Sequence, residues 1–149
     1  MSFLGVKRFV ALLMGVAVFA FAMLLVYCLQ DEFFLQGQRH TKSYYLYSQS
    51  SLARRVQTVE LWELPFVEGC SVCVEFSSEA EAREYALELA KKRKARLQRL
   101  EFLDGVESYY YFCSDGGASI VVGGVPINLQ IALRGRFVNV GKPIVFGGY

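Results

Sequence analysis

Histidine is almost absent from this 149-residue chain, in which His40 is the single copy. Nucleophilic catalysis by serine or cysteine usually enlists a histidine base, and a closed structural zinc site needs about four ligands. Three of the four cysteines follow the N-terminal apolar segment, without a second closely spaced ligand pair. These shortages argue against a catalytic triad and a metal centre, and we predict neither a metal nor another cofactor.

An excess of charge of one sign is also lacking. The chain has 16 basic and 14 acidic residues, for a formal net charge of +2, and Lys7 and Arg8 account for the difference. A neutral remainder gives no electrostatic reason to expect nucleic acid as a partner. The glycine pairs of GGASIVVGG are followed by strand-like sequence rather than by a helix, which argues against a phosphate-binding loop.

A long hydrophobic run is what the chain does have. The 21 residues Phe9–Leu29 carry no charge, and a helix of about 1.5 Å per residue makes that run match a bilayer core of roughly 30 Å. We predict an uncleaved transmembrane signal anchor. A cleaved signal peptide is the alternative, because Lys7 and Arg8 form a basic start and Ala20 and Ala22 are small enough for a cleavage site.

The charges that flank this run set the expected organisation of the chain. Lys and Arg are retained on the cytoplasmic side, so we predict a cytoplasmic N-terminus at 1–8, a membrane span at 9–29, a tether at 30–42 and an extracytoplasmic domain at 43–149. The predicted location is the cell membrane, with a single pass and the C-terminal domain outside.

One amphipathic helix is expected after residue 78. Ser78 is a good N-cap, and Glu81 follows at the spacing of a capping box. No glycine or proline interrupts 79–103, and Asp104-Gly105 is taken as the end of the helix. The apolar positions that recur near the helical period are Ala82, Tyr85, Ala86, Leu89, Ala90, Leu97 and Leu100.

Most of the remaining domain is strand-like. GCSVCVEF, VESYYYFCS and INLQIAL alternate or are rich in aromatic residues, and Asp115-Gly116-Gly117 suggests a turn between strands. The expected fold class is therefore α+β: one long amphipathic helix packed on a mainly antiparallel sheet, after a single N-terminal transmembrane helix.

The predicted helix has an acidic first half and a basic second half, KKRKARLQR. The functional interpretation is a basic patch for an anionic polymer or lipid headgroup. The alternative is a helix whose charges oppose its own macrodipole and pair at i,i+4. The binding candidates are Lys91, Lys92, Arg93, Lys94 and Arg96, together with the aromatic residues Tyr109 and Tyr111.

The C-x-x-C pair of GCSVCVEF, Cys70 and Cys73, supports three interpretations. It could be a redox centre, half of a metal site, or a core strand whose thiols are structural or idle. Strict alternation puts Cys70 and Cys73 on opposite faces of a strand, where they cannot pair with each other. The disulfide candidates are Cys70, Cys73 and Cys113, with Cys113 as the partner that either of the other two could reach.

The favoured function is a membrane-anchored extracytoplasmic binding or adaptor module, used in envelope assembly or structure and without catalytic activity. Its expected partners are the membrane through 9–29 and an envelope protein, an anionic polymer or a lipid headgroup. The alternative is a membrane-tethered thiol-disulfide oxidoreductase that uses Cys70 and Cys73 as its catalytic residues.

Overall fold

The structure of this chain is a computed structural model that describes residues 3–29, 38–47 and 54–145. The chain divides into two compact units, Met1–Phe34 and Leu35–Tyr149. The first unit contains the helix α1 (Phe3–Leu29). The second unit contains the sheet, so each unit is described by itself.

The helix α1 has 27 residues, and its described side chains, those of 10–24, are all exposed. Over the residues that the structure describes, no helix is both long enough and apolar enough to cross a membrane. By this criterion the predicted transmembrane span at Phe9–Leu29 is wrong, and the predicted location of the C-terminal domain stays a prediction.

The second unit is mostly sheet. Among its described residues the elements are, in order, β1 (Arg39–Leu46), β2 (Arg54–Val56), a 3-10 helix (Leu61–Phe66), β3 (Val67–Glu75), α2 (Glu79–Lys92), β4 (Arg96–Leu103), β5 (Val106–Phe112), β6 (Ile120–Val122), β7 (Val125–Ile127), β8 (Leu129–Arg134) and β9 (Phe137–Lys142). β1 begins within the predicted tether, of which 30–37 lie outside the described residues.

Seven of these strands form one antiparallel sheet in the order β2-β1-β3-β9-β8-β5-β4, and β6 and β7 form a separate hairpin. The centre of the sheet is apolar because alternate side chains of adjacent strands meet on one face. Val72 of β3, Ile131 of β8 and Val140 of β9 share that face and are almost fully buried. This unit is a small α+β domain that is mostly sheet, whereas the transmembrane helix included in the predicted fold class is not shown.

The helix α2 covers this apolar face and begins where the sequence predicts. The Ser78 hydroxyl accepts a hydrogen bond from the Glu81 N–H at 3.2 Å, and the Glu81 carboxylate accepts one from the Ser77 N–H at 3.2 Å. Its buried side contacts β8 and β9, and Tyr85 packs on Phe76 with ring centroids 5.0 Å apart. The buried residues are Ala82, Tyr85, Ala86, Leu89 and Ala90.

The end of α2 corrects the prediction of a helix that reaches Leu103. Lys94 adopts a left-handed φ of +47°. The N–H of Lys94 donates to the Lys91 carbonyl at 3.0 Å, and that of Ala95 donates to the Ala90 carbonyl at 2.9 Å. This pair of bonds is a Schellman cap, which satisfies the last carbonyls of a helix and turns the chain away. The helix therefore ends at Lys92, and the next eight-residue element is a strand.

That strand, β4, pairs with β5 through a two-residue turn at Asp104 and Gly105, whose φ angles are +51° and +77°. Two successive residues with positive φ are typical of the type I′ hairpin turn, for which Asp-Gly is a favoured sequence. The pair that the sequence analysis takes as the end of a helix is therefore a hairpin turn.

Between β5 and β8, which are neighbours in the sheet, residues 113–128 make an excursion that contains the β6–β7 hairpin. Asn128 closes it: its Oδ1 accepts the Cys113 N–H at 2.7 Å, and its Nδ2 donates to the Cys113 carbonyl at 2.7 Å. A Cβ atom at Gly116 would lie only 2.6 Å from the Asn128 amide. The buried Asn128 thus joins the two ends of the excursion.

Candidate functional site

The outer edge of β4 exposes an unusual amount of apolar surface. Four large side chains, which we call the apolar edge, are exposed by 49%, 41%, 68% and 73%: Leu97, Leu100, Phe102 and Leu103. Single exposed apolar residues are common, but a contiguous group is typical of an interaction surface. Burying one Leu or Phe side chain contributes about 1.5–3 kcal/mol, so a partner that covers this edge gains substantially.

The pairing of β4 with β5 shows which way these side chains point. Leu100 lies opposite Tyr109 and Phe102 lies opposite Glu107, so both are on the face that α2 covers. Leu103 lies opposite Val106 on the other face. The apolar edge therefore offers contacts on both faces of the sheet, as a strand added alongside β4 would require.

Helix α2 is fixed to β5 behind this edge by an ion pair. The Arg83 guanidinium donates two hydrogen bonds to the Glu107 carboxylate, at 2.8 and 2.7 Å, and the Tyr109 hydroxyl donates a third at 2.7 Å. Bidentate pairing gives this contact a fixed geometry. The cluster holds the helix in place next to the apolar edge.

The same contacts shift the pKa values of the cluster. The hydrogen bonds from Arg83, and then from Tyr109, lower the pKa of Glu107 to about 2. The hydrogen bond to Glu107 raises the pKa of Arg83 above its ordinary value, and burial, followed by the Glu107 hydrogen bond, raises that of Tyr109. Each group is therefore held in its ordinary charge state at neutral pH, which indicates a structural ion pair rather than an acid-base catalyst.

A cleft of about 410 Å³ lies on the opposite face, next to the β4–β5 turn. Val106 and Tyr110 of β5 line it, with Glu101 and Leu103 of β4 and the exposed Arg134 of β8. The Tyr110 hydroxyl donates to Glu101 at 3.0 Å. Glu101, Asp104 and Arg134 supply the charged groups of its lining, and Ser108 and Tyr110 supply hydroxyl groups.

The predicted basic residues lie around the end of α2 rather than along one helix face. Lys91 and Lys92 end the helix, and Arg93 and Lys94 form the turn that leads to Arg96 in β4. Basic side chains in the last helical turn and acidic ones in the first oppose the macrodipole, as the alternative interpretation expects. This basic segment is adjacent in sequence to the apolar edge.

The two predicted aromatic residues are less accessible than a binding role requires. Tyr111 is 8% exposed, and Tyr109 is half-buried with its hydroxyl bonded to Glu107. Their rings stack with centroids 6.3 Å apart. Burial raises the pKa of Tyr111, and the electrostatic effect of Tyr109 raises it further. Both residues therefore support the sheet behind the apolar edge.

The structure does not bring the candidate disulfide residues together. Two strands, β9 and β8, lie between β3, which carries Cys70 and Cys73, and β5, which precedes Cys113. At about 4.8 Å between strands the separation is about 14 Å, whereas a disulfide needs roughly 4.4–6.8 Å between Cα atoms. All three residues are thiols in the structure.

Their surroundings also disfavour thiolate chemistry. Burial raises the pKa of Cys73, an effect that Arg55 partly opposes, and burial likewise raises that of Cys113. A reactive cysteine has a lowered pKa, often at the start of a helix. Cys70 and Cys73 instead lie within β3, where Cys70 faces Tyr44 and Cys73 faces Thr41.

Sequence reasoning missed the apolar edge as a site. It assigned Leu97 and Leu100 to the buried stripe of a helix, whereas both are exposed on β4. The signal that could have found them is the Asp104-Gly105 pair, because it joins two segments that can each be a strand.

Among the residues that the structure describes, no group of three or more His, Cys, Asp or Glu side chains could hold a metal ion. No protein-family model, curated protein or solved structure matches the chain at a significant level. The site is therefore interpreted from the residues of this chain alone.

Proposed function

We propose that this chain is a binding module without catalytic activity, used as an adaptor or assembly component, and that the apolar edge is its contact surface. The observation that carries the proposal is an eight-residue strand at the end of the sheet with four exposed large apolar side chains. Long apolar edge strands readily add further strands, and natural proteins usually protect them.

The contacts behind the edge support this proposal. The apolar edge is backed by the ion pair between Arg83 and Glu107 and by the buried ring of Tyr111. A surface on rigid elements loses less conformational entropy on binding than a loop does. An envelope protein, an anionic polymer or a lipid headgroup stays the partner class predicted from sequence.

The oxidoreductase alternative is less favoured. Its two cysteines lie on opposite faces of β3 according to the strand register, and the pKa of Cys73 is raised. Such an enzyme needs a thiolate that can attack a disulfide and a second thiol that can resolve the product. The geometry of β3 favours neither step.

Selection from a displayed library of ten-residue peptides on the full chain tests the proposal. We expect the selected peptides to alternate apolar residues, and we expect Phe102→Lys or Leu100→Lys to weaken their binding about tenfold or more. Val121→Lys is the matched control, because Val121 is 73% exposed on β6. Peptides that bind all three variants equally well, or no selection at all, would contradict the assignment of the apolar edge.

A further inference from the structure

The outer side of β4 has a stretch that is regular enough to pair with another strand. Within the described residues, β4 is a terminal strand of the sheet: β5 is its only hydrogen-bonded strand neighbour, and β7 lies against it without joining the sheet. A register shift between Leu97 and Arg99 marks a bulge, after which Arg99–Leu103 pairs regularly with β5. A bulge disrupts strand addition locally, so pairing is expected from Arg99 onward.

The first three residues of this stretch are complementary to the same three residues of a second copy, while Phe102 and Leu103 of each copy then lie opposite the other copy's bulge. Arg99 and Glu101 flank Leu100, and their guanidinium and carboxylate groups already form an ion pair along the strand. If a second copy of β4 lies antiparallel with its Leu100 opposite Leu100, each Arg99 lies opposite the partner's Glu101. Two opposite-charge cross-strand pairs then flank one apolar pair, an arrangement that stabilises antiparallel sheets.

The faces of the sheet agree with this register. Arg99 and Glu101 lie opposite Tyr110 and Ser108 of β5, on the face of the cleft, whereas Leu100 lies on the face that α2 covers. In the antiparallel arrangement, Arg99 and Glu101 therefore lie beside Glu101 and Arg99 of the second copy on one face, and Leu100 lies beside Leu100 of the second copy on the other. A slip of one residue would place each side chain opposite one that belongs on the other face.

Parallel pairing of two β4 strands is less favourable. Parallel pairing in the same register places Arg99 beside Arg99 and Glu101 beside Glu101, and like charges directly opposite each other are destabilising. The antiparallel arrangement also has twofold symmetry, which is the commonest symmetry of homodimers. It joins the two seven-stranded sheets into one continuous sheet.

We propose that the occupant of the apolar edge is a second copy of this chain, paired antiparallel through β4 about a twofold axis at Leu100. This inference rests on the proposed function, since it names the partner that the apolar edge binds. The homodimer buries Leu100 of both copies and places the two basic segments (91–96) at opposite ends of the shared strand pair.

Complementary charge reversal tests the dimer. In Arg99→Glu both positions that flank Leu100 are acidic, and in Glu101→Arg both are basic, so each variant alone places like charges across the two contacts. An equimolar mixture places opposite charges across both contacts. We expect sedimentation equilibrium to show a dimer for the unmodified chain, dimerisation weakened about tenfold or more for each variant alone, and recovery in the mixture.

The mixture separates a contact between copies from one within a copy. Both variants lose the ion pair between Arg99 and Glu101 of the same strand, so that loss cannot produce recovery. Glu84→Arg, at an exposed position of α2, controls for net charge and should dimerise normally. Each sample is run with and without a nonionic detergent, because the exposed apolar side chains of α1 offer a second route to association.

Two results would overturn the inference. One is an unmodified chain that is still monomeric at about 100 μM, because its self-association would then be weaker than that of a typical specific homodimer. The other is a dimer whose affinity neither charge reversal changes. Neither result decides the peptide selection, which uses Phe102→Lys and Val121→Lys. If peptides bind the apolar edge of a monomeric chain, the binding function stands and the dimer does not. If the unmodified chain dimerises and the equimolar mixture of the two variants regains dimerisation, the proposed dimer is supported.

Discussion

The two terminal strands of the seven-stranded sheet differ in length and in chemistry. β2 has three residues, and two of them are arginines. The Arg55 guanidinium also donates to the buried Ser43 hydroxyl at 3.0 Å, which fixes that side chain over β1. β4 has eight residues and four exposed large apolar side chains. Short, charged edge strands resist further pairing, so β2 ends the sheet whereas β4 leaves it open to extension.

The comparison also concerns how each strand is supported. Three features hold the β4 side of the sheet: the Asn128 bonds that close the excursion, the pairing of Arg83 with Glu107, and the cap at Lys94 from which β4 begins. The three changes below remove or improve these features one at a time. Each change should alter the stability of the β4 side of the sheet and leave that of β1 and β2 little changed.

The largest expected effect follows from Asn128→Ala. It removes two buried hydrogen bonds of 2.7 Å and leaves the Cys113 N–H without a partner, so we expect a loss of about 2–3 kcal/mol in the free energy of unfolding. Urea denaturation measures it. Asn139→Ala, at a half-buried position of β9, is the control and should cost about 1 kcal/mol or less. Equal losses would show that Asn128 is not a clamp.

Glu107→Gln should lower the free energy of unfolding by a smaller amount, about 1–2 kcal/mol at neutral pH. This value is already reduced for the partial exposure of the pair that Glu107 forms with Arg83. The pKa of Glu107 is lowered to about 2 in the folded chain, below the ordinary value of about 4.5. Its contribution is therefore present above about pH 4.5 and is lost as the pH falls through about 2.

The measurement is the free energy of unfolding against pH for the unmodified chain and for Glu107→Gln. The two curves should converge toward pH 2. Glu84→Gln, at an exposed position of α2 next to Arg83, should follow the unmodified chain. Hydrogen exchange should become faster in β4 and β5 and stay unchanged in β1 and β2. Curves that stay parallel down to pH 2 would disprove the role of the ion pair.

The smallest effect is a gain. Lys94 has a left-handed φ of +47°, and glycine adopts that conformation without the cost of about 1–2 kcal/mol that other residues incur. Lys94→Gly also makes the unfolded chain more flexible, so we expect a net stabilisation of about 0.5–1 kcal/mol in thermal or urea unfolding. Lys91→Gly, inside the helix, should instead destabilise by about 1 kcal/mol. A loss in both variants would contradict the cap.

The elements that the sequence predicts well are those in which one local pattern decides the outcome. The alternation around Val72 and Val74 predicts β3, and the capping residues Ser78 and Glu81 predict the start of α2. β4 is different, because its leucines, arginines and glutamine also have good helical propensity. The Lys94 cap ends the helix through bonds within one segment, but the strand that follows depends on pairing with β5, which that segment does not contain.

The candidate site was difficult to predict for the same reason. Whether Leu97 and Leu100 are buried depends on whether their segment is a helix over the sheet or a strand at its end. The aromatic positions were recognised, but their accessibility was not, since burial of Tyr111 depends on its place on the face that α2 covers. Cysteine spacing could not show that β9 and β8 lie between the two cysteine-bearing regions.

The closure at Asn128 also bears on how this fold can vary. β5 and β8 stay paired because Asn128 holds Cys113, whatever path the chain takes between them. Only Gly116 approaches Asn128 too closely to accept a side chain. The exposed residues 117–119 are therefore where new loops can evolve or a tag can be inserted, whereas β7 farther along the excursion contacts β4 and β5.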